Sequence, residues 1–323
     1  MTIAFAKPYL PVADQLSLLK ARGMTISDET KATAYLEKIG YYRLSGYWYP
    51  WRESTLATSA SPPRRIVYDQ FRPGVEFRHV INLYVFDKKL RLLMLDGIER
   101  IEVALRTEIG LLLGRISPTA HRDAACLSRR FAIVTKRNST TTEHAEWLQR
   151  LDRAFQSSRE DFVKHYKTTY SSPLPLWAAI ELWDFGMLSH FLSGMRDSDL
   201  DTLAAKYGLP RRVLLTSWVR SINFVRNLCA HHCRLWNRAM IDQPRPSPLG
   251  MIPQLDHLTG DTYAQERLYG VAAVIRYFLR TINPGTTWGV RLRELMDSFP
   301  SVSGISIRHM GFPSNWQQHP LWS

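Results

Sequence analysis

Cysteine is scarce in this sequence, and uninterrupted apolar runs are short. The 323 residues include three cysteines, Cys126, Cys229 and Cys233. So small and odd a number excludes the disulfide framework of small secreted proteins. The longest apolar stretch, from Val80 to Leu113, is interrupted repeatedly by charged residues, whereas a membrane-spanning helix needs about 20 apolar residues in succession. The N-terminus lacks the basic and apolar regions of a signal peptide. We therefore expect a cytosolic protein that does not bind a membrane.

Acidic residues are also few relative to basic ones. Asp and Glu total 29 and Lys and Arg total 42, which gives a formal net charge of +13. A basic field of this size attracts polyanions, so RNA or DNA is the first candidate partner. Charge alone leaves incidental basicity equally open. Hydrophobic residues make up 45% of the chain, which is sufficient for a packed core.

Strict alternation of β-branched residues is nearly absent, and helical periodicity dominates. The predicted helices, many with capping residues at their ends, are Val12–Arg22, Asp28–Ile39, Phe77–Leu113, Glu143–Tyr166, Leu176–Gly194, Asp199–Tyr207, Arg211–Arg238, Tyr263–Ile282 and Trp288–Ser298. The segments Glu53–Arg72 and Gln243–Pro253 have the composition of loops. The predicted fold class is therefore all-α. We expect an N-terminal helical segment over residues 1–60, a main helical domain over 73–300 and a C-terminal tail over 301–323.

The segment Ser217–Asn237 holds the densest set of residue types that carry chemistry. At about 100° per residue, one face of the predicted helix collects the polar residues Arg220, Asn223, Arg226, Asn227, His231 and Arg234. His232 falls among the apolar residues, and we expect it to point towards the packed side. A solvated face more often carries Lys and Glu. This composition therefore suits a site that binds phosphate and moves a proton.

Arginine and histidine supply complementary parts of one reaction. Arginine presents a planar set of donors that matches phosphate oxygens and stays charged. Histidine titrates near neutrality, so it can accept or donate a proton. RNA carries its own nucleophile, the 2′-hydroxyl. An Arg and a His beside one phosphodiester therefore suffice in principle for cleavage without a metal, although the spacing alone also fits a surface helix with incidental polar residues.

The string RNLCAHHCRLWN at 226–237 resembles the R-x4–6-H motif of HEPN ribonucleases. It is most similar to the Abi-like family of abortive-infection proteins (the AbiD and AbiF type). Segments at 7–24, 35–52, 80–109 and 175–191 resemble the same family in the same order. The resemblance implies a HEPN-type helical bundle, metal-independent endoribonuclease activity without a cofactor, and a role in defence against phage. It also implies that two motifs meet across a homodimer, because this chain has one clear motif.

The resemblance also implies roles for individual residues. Arg226 would bind and neutralise the scissile phosphate, His231 would act as general base or acid, and Asn227 would position the substrate or the histidine. The remaining expectations are RNA contacts by Arg220, Asn223 and Arg234, and support by His232, Glu102 and Arg106. The expected partners are substrate RNA, a second copy of the chain, and a restraining partner, which is an antitoxin or a regulatory small RNA. The alternatives are a non-catalytic RNA-binding or scaffold protein with the same fold, and a helical protein–protein module.

Two further clusters have structural interpretations that we favour. Cys229, His232 and Cys233 give three zinc ligands at most from one helix, whereas structural zinc takes four, so we expect no metal and core packing of both cysteines. Glu102 and Arg106, with Glu99, fit an ion-pair face within a helix better than a set that orients the catalytic residues.

Acidic, aromatic and basic groups elsewhere also allow both a structural and a functional interpretation. Glu181 and Asp184 look like a buried acidic pair matched by arginine from a neighbouring helix. The aromatic segment Tyr41–Trp51 is more typical of core than of a surface that stacks on bases. Basic residues in predicted loops are either solvated charges or contacts to phosphate that do not depend on nucleotide sequence. They are Arg64, Arg65, Arg72, Arg129, Arg130, Lys136 and Arg137.

Overall fold

The computed structural model describes residues 8–58, 63–134 and 140–323. Lys136 and Arg137, named above, and residue 7 of the segment 7–24 lie outside the described residues. The helices are α1 Val12–Ala21, α2 Glu29–Ile39, α3 Tyr41–Trp48, α4 Phe77–Gly114, α5 Arg129–Ala132, α6 Glu143–Ser157, α7 Asp161–Thr169, α8 Leu176–Ala179, α9 Phe185–Ser193, α10 Asp197–Lys206, α11 Arg212–Ala230, α12 Thr262–Gln265, α13 Leu268–Ile282 and α14 Trp288–Asp297. The strands are β1 Arg52–Ala57 and β2 Arg64–Phe71. The prediction of a helical fold is confirmed.

The chain forms two compact units. One comprises Met1–Leu90 with Glu294–Ile307, and the other comprises Arg91–Arg293 with Arg308–Ser323. The domain boundaries predicted from the sequence stay predictions. Within the described part of the chain, no helix combines the length and the apolar character that crossing a bilayer requires.

The first unit contains a β-hairpin where the sequence predicts a loop. Strands β1 and β2 pair antiparallel, with Ser54 opposite Val67 and Ala57 opposite Arg64. Most of their side chains are exposed, whereas Phe71 at the end of β2 is buried. The hairpin escapes detection because its strands carry arginine and serine rather than an apolar residue at every second position. This small two-stranded sheet is an addition to the helical fold class, which stands.

The aromatic segment after α2 forms much of the core of the first unit. Tyr47, Trp48 and Trp51 are almost fully buried, which confirms the structural interpretation for these three residues. Trp51 Nε1 donates a hydrogen bond to the carbonyl of Ser303 at 2.8 Å. This bond fixes the residues just after Pro300 to the unit. Tyr42 differs from the buried aromatic residues, because 92% of it is exposed.

The second unit is built around α11 and α13. Helix α11 packs against α9, α10 and α13, and its buried residues include Leu215, Ile222 and Val225. Ten of the fifteen residues of α13 are buried. On α4, Gly97 permits a close approach of Trp288, because a Cβ at this position would lie 2.7 Å from Trp288 Nε1.

The long helix predicted as Tyr263–Ile282 divides into α12 and α13, and two other long predicted helices are also interrupted. The segment predicted as Glu143–Tyr166 divides into α6 and α7, because Ser158 adopts an extended backbone. The segment predicted as Leu176–Gly194 breaks at Asp184, whose carboxylate accepts a hydrogen bond from the N–H of Met187 at 2.7 Å and so begins α9. The apolar spacing continues across both breaks, so periodicity does not reveal them.

The last sixteen residues belong to the packed core of the second unit. Met310, Phe312, Trp316, Leu321 and Trp322 are buried there, and Arg308–Ser323 belongs to the same compact unit as Arg91–Arg293. Aromatic residues occur too irregularly in this segment to produce a helical period.

Buried histidines make this second unit sensitive to acid. Burial lowers the pKa of His121 from 6.5 to about 3, with the nearby Arg122 as a further cause. Burial, followed by the neighbouring His319, lowers the pKa of His257 from 6.5 to about 4. His257 Nε2 is hydrogen-bonded to the hydroxyl of Tyr269 at 2.8 Å. Both histidines are therefore neutral in the folded protein near neutral pH.

The free energy of unfolding should consequently depend on pH. Below about pH 6.5 the two histidines bind protons in the unfolded chain but not in the folded one. Their contribution to the free energy of unfolding is therefore fully present above this pH and is lost as the pH falls towards 4. Urea unfolding at pH 7.5, 6 and 5 measures this loss. His121→Phe removes one of these titrating groups, so it should make the pH dependence shallower. The substitution removes no hydrogen bond of the side chain, because neither ring nitrogen of His121 has a partner among the described residues. Equal stability of the natural protein at pH 7.5 and 5 would contradict this account.

Candidate active site

Helix α11 ends at Ala230 and not at the predicted Arg238. The N–H of His232 donates to the carbonyl of Cys229 at 3.1 Å, and the N–H of Cys233 donates to the carbonyl of Leu228 at 2.8 Å. These two bonds form a Schellman motif, which satisfies carbonyls at the end of a helix. We call the residues His231–Cys233 the α11 turn. His231 is the capping residue, with backbone angles of −87° and 12°, a sparsely occupied region where active-site residues are often found.

His232 occupies the position in this motif that glycine usually takes. Its φ is +55°, a left-handed conformation that costs an L-residue roughly 1–2 kcal/mol. The residue is exposed, so the expectation that His232 points towards the packed side is wrong. The physical reason is that the angular positions of an ideal helix do not apply beyond the turn.

Two arginine side chains and two buried residues anchor the segment that follows the α11 turn. Arg91, which is 5% exposed, donates from Nη1 to the carbonyl of Cys233 at 3.4 Å. Leu235 and Trp236 are completely buried, and Arg267 donates from Nη1 to the carbonyl of Asn237 at 2.9 Å. The turn is therefore fixed by the helix before it and by buried residues after it. Arg234, an expected RNA contact, lies half-buried between them.

The expected catalytic residues lie at the C-terminal end of α11. Arg226 and Asn227 are half-buried, and Arg226 Nη1 donates to Asn227 Oδ1 at 3.4 Å. The N–H of His231 donates to the carbonyl of Asn227 at 3.0 Å, so His231 follows Asn227 by one helical turn. His231 is exposed. Arg220 and Asn223 precede Asn227 by seven and four residues, which places them on the same side of the helix.

A partly buried carboxyl group lies in the electrostatic field of Arg226. Burial raises the pKa of Glu102 on α4 above its usual value, and the positive charges of Arg106 and Arg226 oppose this rise. Arg106 Nη2 lies 2.6 Å from Glu102 Oε1, which confirms the predicted ion pair. The same arginine donates to the carbonyl of Trp183. Arg106 is therefore anchored on both sides, and it holds Glu102 near Arg226.

The second acidic pair is more exposed than expected. Glu181 and Asp184 are 59% and 54% exposed. Their predicted pairing with arginines of neighbouring helices is confirmed, because Glu181 lies 3.9 Å from Arg106 and Asp184 lies 3.3 Å from Arg150. The two residues occupy a turn and a helix cap, which explains why their predicted burial was wrong.

The two cysteines near the site differ in burial. Cys229 is 1% exposed, as predicted for core packing, whereas Cys233 is half-buried. The structure describes all three cysteines, and none of them forms a disulfide. In the ranges that the structure describes, His, Cys, Asp and Glu side chains form no group of three or more that could hold a metal ion.

A cleft of about 680 Å³ lies between α9 and α11. Arg220 and Asn223 line it, and both were expected to contact RNA. Sequence reasoning missed its other polar lining residues, which include His190, Gln243, Arg245 and Gln265. No local pattern could reveal them, because they come from three separate segments of the chain.

The chain thus has a mostly helical fold with an Arg–Asn contact and a histidine at the end of one helix. A family model described as Abi-like protein matches residues 34–237, which is more than half of the chain. The chain belongs to the Abi-like family, and at this level it is a protein of abortive infection, a bacterial defence against phage. The match extends through the α11 turn and includes every expected site residue. No curated protein and no solved structure matches the chain significantly.

The strain at His232 can be measured with two substitutions. His232→Gly and His232→Ala both remove the imidazole, but glycine accepts a positive φ without the steric cost that alanine retains. We expect the glycine variant to be more stable than the alanine variant by about 1 kcal/mol. Urea unfolding of the two variants gives this difference directly. Equal stabilities would mean that the α11 turn is unstrained at this residue.

Proposed function

We propose that this protein is a HEPN-type endoribonuclease that cleaves RNA without a metal ion in phage defence. The observation that carries the proposal is the Arg226–Asn227 contact, with His231 one turn further along at the end of α11. Family membership supports the defence role. The enzyme would be a toxin held inactive by an antitoxin or a small RNA until infection.

The geometry suggests how each residue would act. The guanidinium of Arg226 has five N–H groups, so it can bond to Asn227 and still offer donors to a phosphate. Glu102 lies close enough to affect this guanidinium and would restrict its orientation. His231 is exposed and can reach a bound strand.

The proposed reaction is an internal transfer of the phosphodiester. The 2′-hydroxyl loses its proton to a base, and its oxygen attacks phosphorus. The bond from phosphorus to the 5′-oxygen breaks, and that oxygen takes up a proton. The products are a 2′,3′-cyclic phosphate and a free 5′-hydroxyl. His231 would carry out one of the two proton transfers, and Arg226 would stabilise the negative charge that develops on the phosphate oxygens.

A second copy of the chain would complete this site. One chain supplies one Arg226 and one His231, whereas two chains supply separate groups for base, acid and charge stabilisation. Two-fold dimers are the commonest closed assembly. Repulsion between the two α11 helices would be reduced by Glu102 beside Arg226, and by Asp242, which lies 3.2 Å from Arg220. A monomeric mass in light scattering of the active, RNA-bound protein would exclude the composite site.

Arg226→Ala and His231→Ala should each reduce the rate of RNA cleavage by at least about 100-fold, because each removes a group that acts on the scissile phosphodiester. Neither residue is buried, so the melting temperature should change little. The matched controls are Arg211→Ala at the start of α11 and His165→Ala on α7, which are exposed positions outside the site. Cleavage at the natural rate by Arg226→Ala or His231→Ala protein would refute the proposed site.

A further inference from the structure

The segment Gln243–Pro246 is fixed against α11 at the edge of the cleft. The N–H of Arg245 donates to Ser217 Oγ at 2.9 Å, and its carbonyl accepts a hydrogen bond from Trp218 Nε1 at 2.8 Å. Proline on both sides of Arg245 restricts the backbone further. Arg245 is therefore presented to the cleft by a rigid backbone, although the sequence around it has the composition of a loop.

Arg245 supplies the cleft with a positive charge that no carboxylate of the described residues neutralises. Arg220 Nε lies 3.2 Å from Asp242, and His190 Nε2 lies 3.5 Å from Glu143. In the part of the chain that the structure describes, the guanidinium of Arg245 has no such partner. Arginine is suited to phosphate because its planar donors match two phosphate oxygens. An anionic group is thus the ligand that this end of the cleft favours.

Amide groups make the remainder of the cleft suitable for a nucleobase. Asn223, Gln243 and Gln265 line it, and the Oδ1 atom of Asn223 is buried without a hydrogen-bond partner among the described residues. Amides offer both donors and acceptors, as do the edges of unpaired bases. The cleft volume of about 680 Å³ lies within the range of small-ligand sites. These properties fit one nucleotide of a single strand better than a duplex, whose base edges are already paired.

The cleft lies along the side of α11 that leads towards the proposed active site. Arg220 and Asn223 line it and lie on the side of α11 that leads to Asn227 and then His231. Asn223 and His231 are separated by eight residues, which is about 12 Å along a helix axis. A strand held at His231 can therefore place a neighbouring nucleotide in the cleft.

We propose that this cleft is a specificity subsite, which binds one unpaired RNA nucleotide next to the cleaved phosphodiester. Arg245 binds the phosphate of that nucleotide, and Asn223 and Gln243 contact the edge of its base. The proposal rests on the proposed function, because it concerns a second part of the same substrate site.

The first test measures binding without cleavage. A single-stranded RNA oligonucleotide with 2′-O-methyl groups cannot react, and its affinity is measured by fluorescence anisotropy with the full-length protein. Loss of the contact between Arg245 and phosphate in Arg245→Ala should weaken binding about tenfold. Arg211→Ala removes the same charge from an exposed position that does not line the cleft, and it should change the affinity less than twofold. Equal effects of the two variants would overturn the subsite.

The second test concerns base preference. Gln243→Met keeps the length of the side chain and removes its amide, so sequencing of the cleaved ends should show a weaker preference at one flanking position. An unchanged preference would exclude Gln243 from base recognition.

The proposed function and the subsite can fail separately. Binding that depends on Arg245, in a protein that cuts no RNA, would support the subsite and refute the nuclease. RNA cleavage that is unaffected by Arg245→Ala would support the nuclease and refute the subsite. Binding of polyglutamate, with no binding of RNA, would indicate an acidic protein partner and overturn the proposal.

Discussion

The end of α11 is the constraint on which the rest of the site depends. Two backbone hydrogen bonds close the helix at His231, and His232 takes a left-handed conformation to permit the closure. Burial of Leu235 and Trp236 immediately afterwards prevents the helix from continuing. If α11 ran on to Arg238, His231 would be an interior residue of the helix. Because it ends, His231 becomes its exposed capping residue, one turn beyond Asn227.

The partly buried charges of Glu102 and Arg106 contribute to the environment of Arg226. Burial is the largest cause that raises the pKa of Glu102, and the charges of Arg106 and Arg226 oppose that rise. Both arginines therefore favour the charged form of this carboxyl group. Arg106 is bonded in turn to the carbonyl of Trp183. This network links α4 to the segment before α9, and through Glu102 it extends to the C-terminal part of α11. The ion-pair interpretation and the supporting role expected for Glu102 are therefore compatible.

The sequence predicts this fold well where its elements are long and periodic. Helices α1, α2, α4 and α10 agree with expectation to within two residues at each end, because their apolar spacing and their capping residues coincide. Prediction fails where one residue changes the backbone while the apolar spacing continues, as at Ser158, Asp184 and His232. The site residues of α11 could be found because they lie close together in one segment. Arg245 could not, since its position depends on hydrogen bonds to residues almost thirty positions earlier.

The central claim is that the end of α11 cleaves RNA through the 2′-hydroxyl of its substrate. The most direct measurement incubates the purified chain in EDTA with a single-stranded RNA and with DNA of matching sequence, and then identifies the ends of the fragments. The account predicts that the RNA is cut, that its 5′ fragments end in a 2′,3′-cyclic phosphate or the product of its hydrolysis, and that the DNA stays intact. Equal cleavage of DNA, or complete loss of cleavage in EDTA, would contradict it in favour of a metal-dependent mechanism.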